Sequence, residues 1–262
     1  MPIELFDTHC HLTFAGLGER CDQVVADAQA AGVSRMITVA CSPGDFDPAM
    51  ALSHRHERLW IAAGFHPHEA ANVTEADFAR LRTLWNDEAG VVAAGEMGLD
   101  YHYNFSPPEV QRAVFRRQLD AVRSAGLPVV IHCREAHDDV VGILLDAGYA
   151  DRPVVFHCFT GTAAEAAELR EHGWWTSFSG VVTFRKSDTV RQACAETPLD
   201  RLMFETDAPY LSPEPIRHLR PNEPRHIEHT IRFAAGLLGT TFESLAATAT
   251  ANALRFFRIG EK

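Results

Sequence analysis

Short apolar runs alternate with longer segments of helical periodicity along the chain. Each run is rich in Val, Ile, Leu, Phe or Trp, and the segment after it places apolar residues three or four positions apart, as on one helix face. The predicted strands span residues 3–7, 35–40, 59–64, 91–96, 128–133, 153–158, 174–179 and 201–206. The predicted helices span residues 19–31, 45–56, 74–88, 108–125, 136–147, 162–172, 188–196, 223–238 and 241–257. This alternation is typical of βα units around a parallel sheet.

The number of βα units predicts a closed barrel. Eight such units in 262 residues fit a single-domain α/β fold of the TIM-type (β/α)8 class, with residues 241–257 as an extra C-terminal helix. No linker divides the chain, so residues 1–262 are expected to form one domain. Local signals agree: Thr74 and Asp77 resemble a capping box, and Ser106 before Pro107 suits a helix N-cap.

The active site of a TIM barrel lies at the carboxyl ends of its strands, and metal-binding residue types collect there in this chain. They are His9, His11, His66, His68, Glu96, His132, His157 and Asp207. Side chains alternate along a strand, so His9 and His11 point the same way and Cys10 points the other. The same alternation separates His132 from Cys133 and His157 from Cys158. We therefore expect both cysteines to pack against helices rather than join a mixed His/Cys zinc site.

A lone buried histidine at a strand end is an ordinary hydrogen-bonded core residue, so one such position carries little weight. Several buried polar groups at one barrel mouth would each be costly without a common partner. Four imidazoles and two carboxylates exceed what one ion needs but suit two ions that share a bridging carboxylate, and such a site supports phosphoryl transfer. His9 and His11 would then be ligands of the first ion.

Composition narrows the class of protein. Lys and Arg number 24 against 35 Asp and Glu, giving a net charge of -11, which does not suit a protein that wraps duplex DNA through a broad basic face. The six cysteines are scattered, without a CxxC pair, and are expected to be reduced thiols. No signal-peptide pattern or long apolar run is present, so we expect a cytoplasmic protein without membrane contact; no obligate protein partner is evident.

A series of motifs runs in order along nearly the whole chain: FDTHCHL, GFHPH, GEMGLDYH, SPPEVQRAVFRRQL, VVIHCREA, HCFTG, FSGVVTF, ETDAPYL and NALRFF. In this order they resemble the TatD-like metal-dependent hydrolases. The resemblance implies a TIM-barrel deoxyribonuclease dependent on divalent metal, some members being 3′–5′ exonucleases on single-stranded DNA or other nucleic acid. It implies one ion at His9, His11, Glu96 and Asp207, with Glu96 bridging to a second ion at His132 and His157. It also places His66 and Arg134 near the scissile phosphate.

The hypothesis is that a hydroxide activated by two metal ions attacks the phosphodiester, with Asp207 as a pure ligand or also as a proton carrier. Arg134 would contact a phosphate or form a salt bridge with Glu135 or Glu205. The ions could be Mg, Mn or Zn: imidazoles favour the latter two, whereas magnesium is usual for the family.

Three further expectations stay open at this point. Tyr101, Tyr103 and Phe105 either stack on bases or only cover the barrel. Thr183, Arg185 and Lys186 either meet substrate phosphates or form a solvated loop. The same metal cage could also hydrolyse esters or amides, as a D-aminoacyl-tRNA deacylase does, or belong to a non-catalytic metal-binding scaffold.

Overall fold

The computed structural model describes residues 3–260, so residues 1, 2, 261 and 262 of the expected domain lie outside the described residues. Its strands are β1 (Leu5–Cys10), β2 (Val33–Ala40), β3 (Leu59–Ala63), β4 (Val91–Asp100), β5 (Val129–Arg134), β6 (Val154–Phe156), β7 (Trp175–Phe178) and β8 (Leu202–Phe204). Its helices are α1 (Cys21–Ala30), α2 (Phe46–Arg55), α3 (Glu75–Asp87), α4 (Pro108–Val122), α5 (His137–Asp146), α6 (Ala163–Glu171), α7 (Asp188–Glu196), α8 (Ile227–Leu237) and α9 (Phe242–Phe257).

The eight strands are parallel and pair in chain order from β1 to β8. The residues that follow β8 bring the sheet back to β1: the backbone N–H of His11 donates to Ala208 O at 2.7 Å, and that of Asp207 donates to His9 O at 3.0 Å. A helix follows each strand, and α9 comes after the last of these units. The predicted TIM-type barrel with an extra C-terminal helix is confirmed.

The barrel interior is apolar at the amino end of the strands. Every strand contributes at least one side chain to an inner cluster, among them Phe6 of β1, Val130 of β5 and Trp175 of β7. Phe256 and Phe257 of α9 pack into the same cluster and close this end. The histidines and carboxylates predicted for the site lie at the opposite, carboxyl end of the strands.

The helix-cap predictions have different outcomes. Thr74 and Asp77 form the predicted capping box at the start of α3. Ser106 is not the N-cap of α4: Pro107 holds that position. The Ser106 hydroxyl instead donates to His68 O at 2.8 Å and accepts from the backbone N–H of Ala71 at 3.0 Å, because the turn after β3 offers it two unpaired backbone groups. Within residues 3–260, no helix is long and apolar enough to cross a membrane.

Candidate active site

Glu96, in the middle of β4, lies at the centre of the polar end of the barrel and is buried. Its two carboxylate oxygens face two different groups of side chains. Oε2 lies 3.3 Å from His9 Nε2 and 3.9 Å from His11 Nε2. Asp207 completes this first group, with Oδ1 3.4 Å from His11 Nε2 and 3.7 Å from His9 Nε2. The strand-end pairing between residues 9–11 and 207–208 places these three residues together.

The other oxygen of Glu96 faces a second group made only of imidazoles. Oε1 lies 2.6 Å from His157 Nε2, 2.7 Å from His132 Nδ1 and 3.4 Å from His66 Nε2. His157 also stacks on His9, with ring centroids 3.9 Å apart. The structure thus brings together the residues that the sequence predicts as metal ligands, and it adds His66 to the second group.

Two buried carboxylates orient the imidazoles from behind. Asp100 Oδ2 lies 3.0 Å from His132 Nε2 and 3.0 Å from His68 Nε2. Glu205 Oε1 lies 3.2 Å from His157 Nδ1, and Glu205 Oε2 accepts from the Ser177 hydroxyl at 2.5 Å. Carboxylate partners of this kind hold a ligating histidine in one tautomer and one ring orientation.

Sequence analysis missed both carboxylates, although their spacing is informative. Asp100 lies four residues after Glu96 in the same strand, and Glu205 lies two residues before Asp207. Alternation along β4 therefore puts Asp100 on the side of Glu96. Glu205 follows the last paired residue of β8, so only its closeness to Asp207 in the chain pointed to it.

Helix α4 fixes the ends of β3 and β4 through two buried glutamines. Gln118 accepts from Phe65 N at 2.8 Å and donates to Phe65 O at 3.0 Å. Gln111 accepts from Asp100 N at 2.8 Å and donates to Asp100 O at 3.0 Å. These paired bonds satisfy backbone groups that no strand reaches, and they position His66 and Asp100 in the site.

Interactions between the buried carboxylates and the imidazoles shift the pKa values of both kinds of group. Burial raises the pKa of Glu96, but the neighbouring His157 and His66 outweigh it and hold that pKa well below its usual value. Burial likewise opposes ionisation of Asp207, yet its interaction with His11 lowers the pKa. Glu96 and Asp207 are therefore ionised, and the neighbouring imidazoles stabilise their negative charge.

The imidazoles respond unequally to the same environment. Burial lowers the pKa of His66 to about 4 and also lowers that of His9. For His157 burial acts in the same direction, but Glu96 overcomes it and raises the pKa well above 6.5. For His132 the hydrogen bond to Asp100 overcomes burial and raises the pKa. In the absence of another cation, protons on His132 and His157 offset part of the negative charge of the buried carboxylates.

The donor set fits divalent cations. With Nε2–H of His132 donating to Asp100 and Nδ1–H of His157 donating to Glu205, the remaining nitrogen of each neutral ring points a lone pair at Glu96 Oε1. Nε2 of His9 and Nε2 of His11 also face each other, at 3.2 Å. Lone pairs directed at a common point need a proton or a metal ion between them. Among the described residues, His9–His11–Glu96 and His66–Glu96–His132 each converge closely enough to hold an ion.

Cys41, at the end of β2, is a neighbour that the sequence did not indicate. Its thiol lies 3.6 Å from Glu96 Oε2 and 3.9 Å from His11 Nδ1. Burial and the nearby carboxylate of Glu96 raise the pKa of this thiol well above its usual value, so it is a neutral S–H that donates toward Glu96. Cys41 directly follows β2 and shares the inward direction of Ile37 and Val39, so alternation along the strand could have indicated it.

The other cysteines follow the strand pattern except where the strand stops. Cys10 faces away from the site and donates to Ile37 O, and Cys133 packs against the outer core, both as predicted. The prediction for Cys158 is wrong. Strand β6 ends at Phe156, Cys158 has a positive φ of 41°, and its sulfur lies 3.1 Å from Ser179 Oγ beside the site. Alternation no longer applies beyond the last paired residue.

An open cavity of about 1150 Å³ leads from Glu96 to the surface. Tyr103 and Phe105 stack on each other along one wall, with ring centroids 5.4 Å apart, and both side chains are exposed. Arg134 lines the same cavity with its guanidinium 4.7 Å from the Tyr103 ring centroid. Within residues 3–260 no carboxylate pairs with Arg134: Glu135 pairs with His102, and Glu205 is engaged by His157. The salt bridges considered for Arg134 do not form.

The remaining residues predicted to bind substrate lie outside this cavity. The Tyr101 hydroxyl donates to Asp139 at 2.5 Å, and Tyr101 lines a neighbouring cavity of about 640 Å³. The buried Thr183 donates its hydroxyl proton to Gly180 O at 2.6 Å, which ties it to its own turn. Lys186 lies exposed on the loop between β7 and α7.

A family model, curated relatives and a solved structure match this chain over nearly its whole length. Residues 6–258 match the family model described as TatD related DNase. The metal-dependent hydrolase YabD of Bacillus subtilis, which is described as uncharacterized, is 39% identical over 255 residues, covering 97% of this chain and 99% of YabD. The 3′–5′ ssDNA/RNA exonuclease TatD of Cronobacter sakazakii is 40% identical over 258 residues, covering 97% of each. The crystal structure of the TatD homologue YJJV from Escherichia coli K12 matches with a TM-score of 0.92 at 27% identity, covering 99% of this chain and all of YJJV.

Proposed function

We propose that this chain, which belongs to the TatD-related DNase family of metal-dependent hydrolases, removes nucleotides from the 3′ end of single-stranded DNA. Two divalent ions bound at Glu96 would support the reaction. The membership confirms the resemblance of the motifs and makes the protein a hydrolytic nuclease. The observation that carries the finer proposal is the orientation of Glu96, whose two oxygens face two separate sets of nitrogen donors. We propose that residues 1–262 act as one hydrolase domain.

The residues would divide between the ions according to the carboxylate oxygen that they face. His9, His11 and Asp207 would hold the first ion with Glu96 Oε2. His132 and His157 would hold the second with Glu96 Oε1, and His66 lies on the same side. When bound, such ions supply a water of lowered pKa and neutralise charge on phosphate oxygens. A mixture of imidazole and carboxylate favours zinc or manganese over magnesium.

Asp207 and Arg134 would act directly on the reacting groups. The Asp207 side chain is 13% exposed, against 3% for Glu96, so it is the carboxylate that an attacking water reaches first. In this position Asp207 would orient the water and accept its proton. Arg134 has no carboxylate partner among the described residues, and its planar group of donors suits two phosphate oxygens at once.

A single strand fits this cavity better than a duplex. The Glu96 side chain lies at the bottom of the cavity and is almost fully buried, so a phosphodiester must enter deeply to reach it. A flexible strand end can do so, whereas a base pair must first be opened. Tyr103 and Phe105 would stack on the base of the terminal nucleotide, since exposed aromatic rings bind bases without sequence preference. The Cronobacter sakazakii relative, an ssDNA/RNA exonuclease by name, supports this substrate class.

The test is hydrolysis of a 3′-labelled single-stranded oligonucleotide by metal-stripped protein to which magnesium, manganese or zinc is returned. Stepwise shortening from the labelled end is expected with at least one metal, and Glu96→Gln should abolish it. Glu109→Gln removes an exposed carboxylate of α4 and is the matched control. An aminoacyl ester tested beside the oligonucleotide separates the two chemistries: turnover of the ester without cleavage of DNA would refute the nuclease proposal.

A further inference from the structure

The rim of the cavity is divided by charge. On the side of β5 and β6, residues 134–139 and the first turn of α6 carry the carboxylates Glu135, Asp138, Asp139 and Glu165, which line the smaller cavity. Arg134, at the boundary between the two cavities, is the only arginine or lysine among the lining residues of the smaller one. Glu135 pairs with His102 and Asp139 with Arg112, whereas Asp138 and Glu165 form no ion pair among the described residues. The net charge of this side therefore stays negative, and a phosphodiester backbone that left the site here would meet repulsion.

The loops after β7 and β8 have the opposite charge. Residues 179–187 contain Arg185 and Lys186 and no carboxylate, and residues 208–221 contain Arg217 and Arg220 against the single carboxylate of Glu214. We call Arg185, Lys186, Arg217 and Arg220 the basic rim. In the part of the chain that the structure describes, none of these four side chains forms an ion pair, whereas the next cation along, Arg191, pairs with Asp188. In a protein of net charge -11 this is a local concentration of free positive charge.

Contacts between the two loops hold the basic rim together. The guanidinium of Arg217 lies 3.3 Å from the ring centroid of Phe184, directly before Arg185 in the chain. The backbone N–H of Glu214 donates to Thr183 Oγ1 at 2.8 Å. Thr183, predicted from the sequence to touch substrate, thus joins the loops that carry these cations.

Tyr210 connects the basic rim to the cavity. Its ring is half exposed and lines the cavity wall opposite Tyr103 and Phe105, because β8 lies across the barrel from β4. Both backbone polar groups of Tyr210 are hydrogen-bonded: its N–H donates to Asp207 O at 2.9 Å, and its carbonyl oxygen accepts from Asn222 Nδ2 at 2.7 Å. An exposed aromatic ring beside free cations is the combination that binds single-stranded nucleic acid.

We propose that the part of a nucleic-acid strand outside the cavity leaves it across Tyr210 and the basic rim, and not across the acidic loops after β5 and β6. This inference rests on the proposed nuclease function. The strand would enter between two aromatic walls, with its terminal base on Tyr103 and Phe105 and its following bases on Tyr210. Phosphates further along the strand would then meet Arg185, Lys186 and Arg217.

The test compares a double variant with a matched control in binding and in hydrolysis. Arg185→Gln with Lys186→Gln removes two exposed charges of the basic rim. Arg82→Gln with Arg152→Gln removes two charges that likewise form no ion pair among the described residues, on α3 and shortly before β6 at the amino end of the barrel. Binding of a single-stranded oligonucleotide of about 12 nucleotides is measured by fluorescence anisotropy over a range of salt, on metal-stripped protein that cannot turn it over. Hydrolysis of the same oligonucleotide and of a dinucleotide is measured on the metal-loaded enzyme.

For the rim variant we expect the slope of log affinity against log salt to fall by about 1.4, since each phosphate contact on a single strand contributes about 0.7. Its kcat/KM should fall for the long oligonucleotide and stay unchanged for the dinucleotide, and the control variant should change neither. Equal behaviour of the two variants would overturn the proposal. So would a larger effect from Asp138→Asn with Asp139→Asn, because the strand would then lie on the other side.

The binding measurement keeps this inference separate from the nuclease proposal. Salt-dependent binding that the rim variant weakens, without hydrolysis by the wild-type enzyme, would support the path and refute the nuclease activity. Hydrolysis of the long oligonucleotide that the rim variant leaves intact would support the activity and refute the path.

Discussion

Replacing Asp100 by Asn should weaken metal binding although Asp100 is not itself expected to touch an ion. The carboxylate accepts four hydrogen bonds: Oδ1 accepts from the backbone N–H groups of His102 at 3.0 Å and Tyr103 at 2.9 Å, and Oδ2 lies 3.0 Å from the Nε2 atoms of His68 and His132. Asn keeps the oxygen that faces the backbone. Its amide group, however, directs N–H donors at two imidazoles that previously donated to Asp100.

The tautomer of His132 follows from that exchange. An amide donor in front of Nε2 stabilises the lone pair there, so the proton of the neutral ring moves to Nδ1. Nδ1 lies 2.7 Å from Glu96 Oε1 and would then donate to it instead of offering a lone pair to a metal ion. Loss of a carboxylate partner behind a ligating histidine costs about 10- to 100-fold in metal affinity, or about 1.4–2.8 kcal/mol.

The measurement is titration calorimetry of metal-stripped protein with zinc or manganese, together with kcat/KM for a single-stranded oligonucleotide. One of two binding events should weaken by about 10- to 100-fold, and the other, at His9 and His11, should change much less. Asp87→Asn, at the exposed end of α3, makes the same chemical change outside the site and serves as control. If Asp100→Asn binds both ions with unchanged affinity and keeps its turnover, then Asp100 does not position His132 and the account of the second ion is wrong.

Three further predictions concern the site and its support. Gln118→Leu leaves both buried backbone groups of Phe65 unpaired, so the free energy of unfolding measured with urea should fall by about 2–4 kcal/mol. A fall of less than about 1 kcal/mol would contradict the role given to α4. Arg134→Gln should lower kcat/KM for DNA by about 10- to 100-fold in steady-state assays, because a hydrogen bond to a charged phosphate is lost. The metal stoichiometry, measured by elemental analysis, should stay unchanged. Equal rates for the variant and the wild-type protein would show that Arg134 does not contact the substrate. The pKa values of His132 and His157 are raised above 6.5, so both rings stay protonated at pH values somewhat above 6.5. A metal ion that binds to these nitrogens must displace the protons. Metal affinity should therefore fall as pH drops through this range, with proton release seen as a buffer-dependent heat, and a pH-independent affinity would contradict the assignment.

The sequence predicts the barrel well because each βα unit repeats the same alternation of an apolar run and an amphipathic segment. It predicts the convergence of His9, His11, Glu96, His132 and Asp207 for a related reason: in a parallel barrel all strands end on the same side, so residues at strand ends meet. The alternation of side chains correctly turns Cys10 away from the site.

The alternation of side chains does not predict direction where strand pairing ends, and it does not predict a hydrogen bond to a segment distant in the sequence. Cys158 lies beyond the last residue of β6, so its direction depends on a turn that the apolar pattern does not describe. The hydroxyl of Ser106 bonds to a turn far away in the sequence and not to the helix beside it.

Counting the bound ions while hydrolysis is followed tests most directly the claim that Glu96 joins two metal sites. Metal-stripped wild-type protein and Glu96→Gln would be titrated with manganese, with bound metal measured by elemental analysis and cleavage of a labelled single strand measured on the same samples. The account predicts that cleavage by the wild-type protein appears only as the second equivalent binds, and that Glu96→Gln neither retains both ions nor cleaves DNA. Full activity with a single ion, or two ions and normal cleavage in Glu96→Gln, would contradict it.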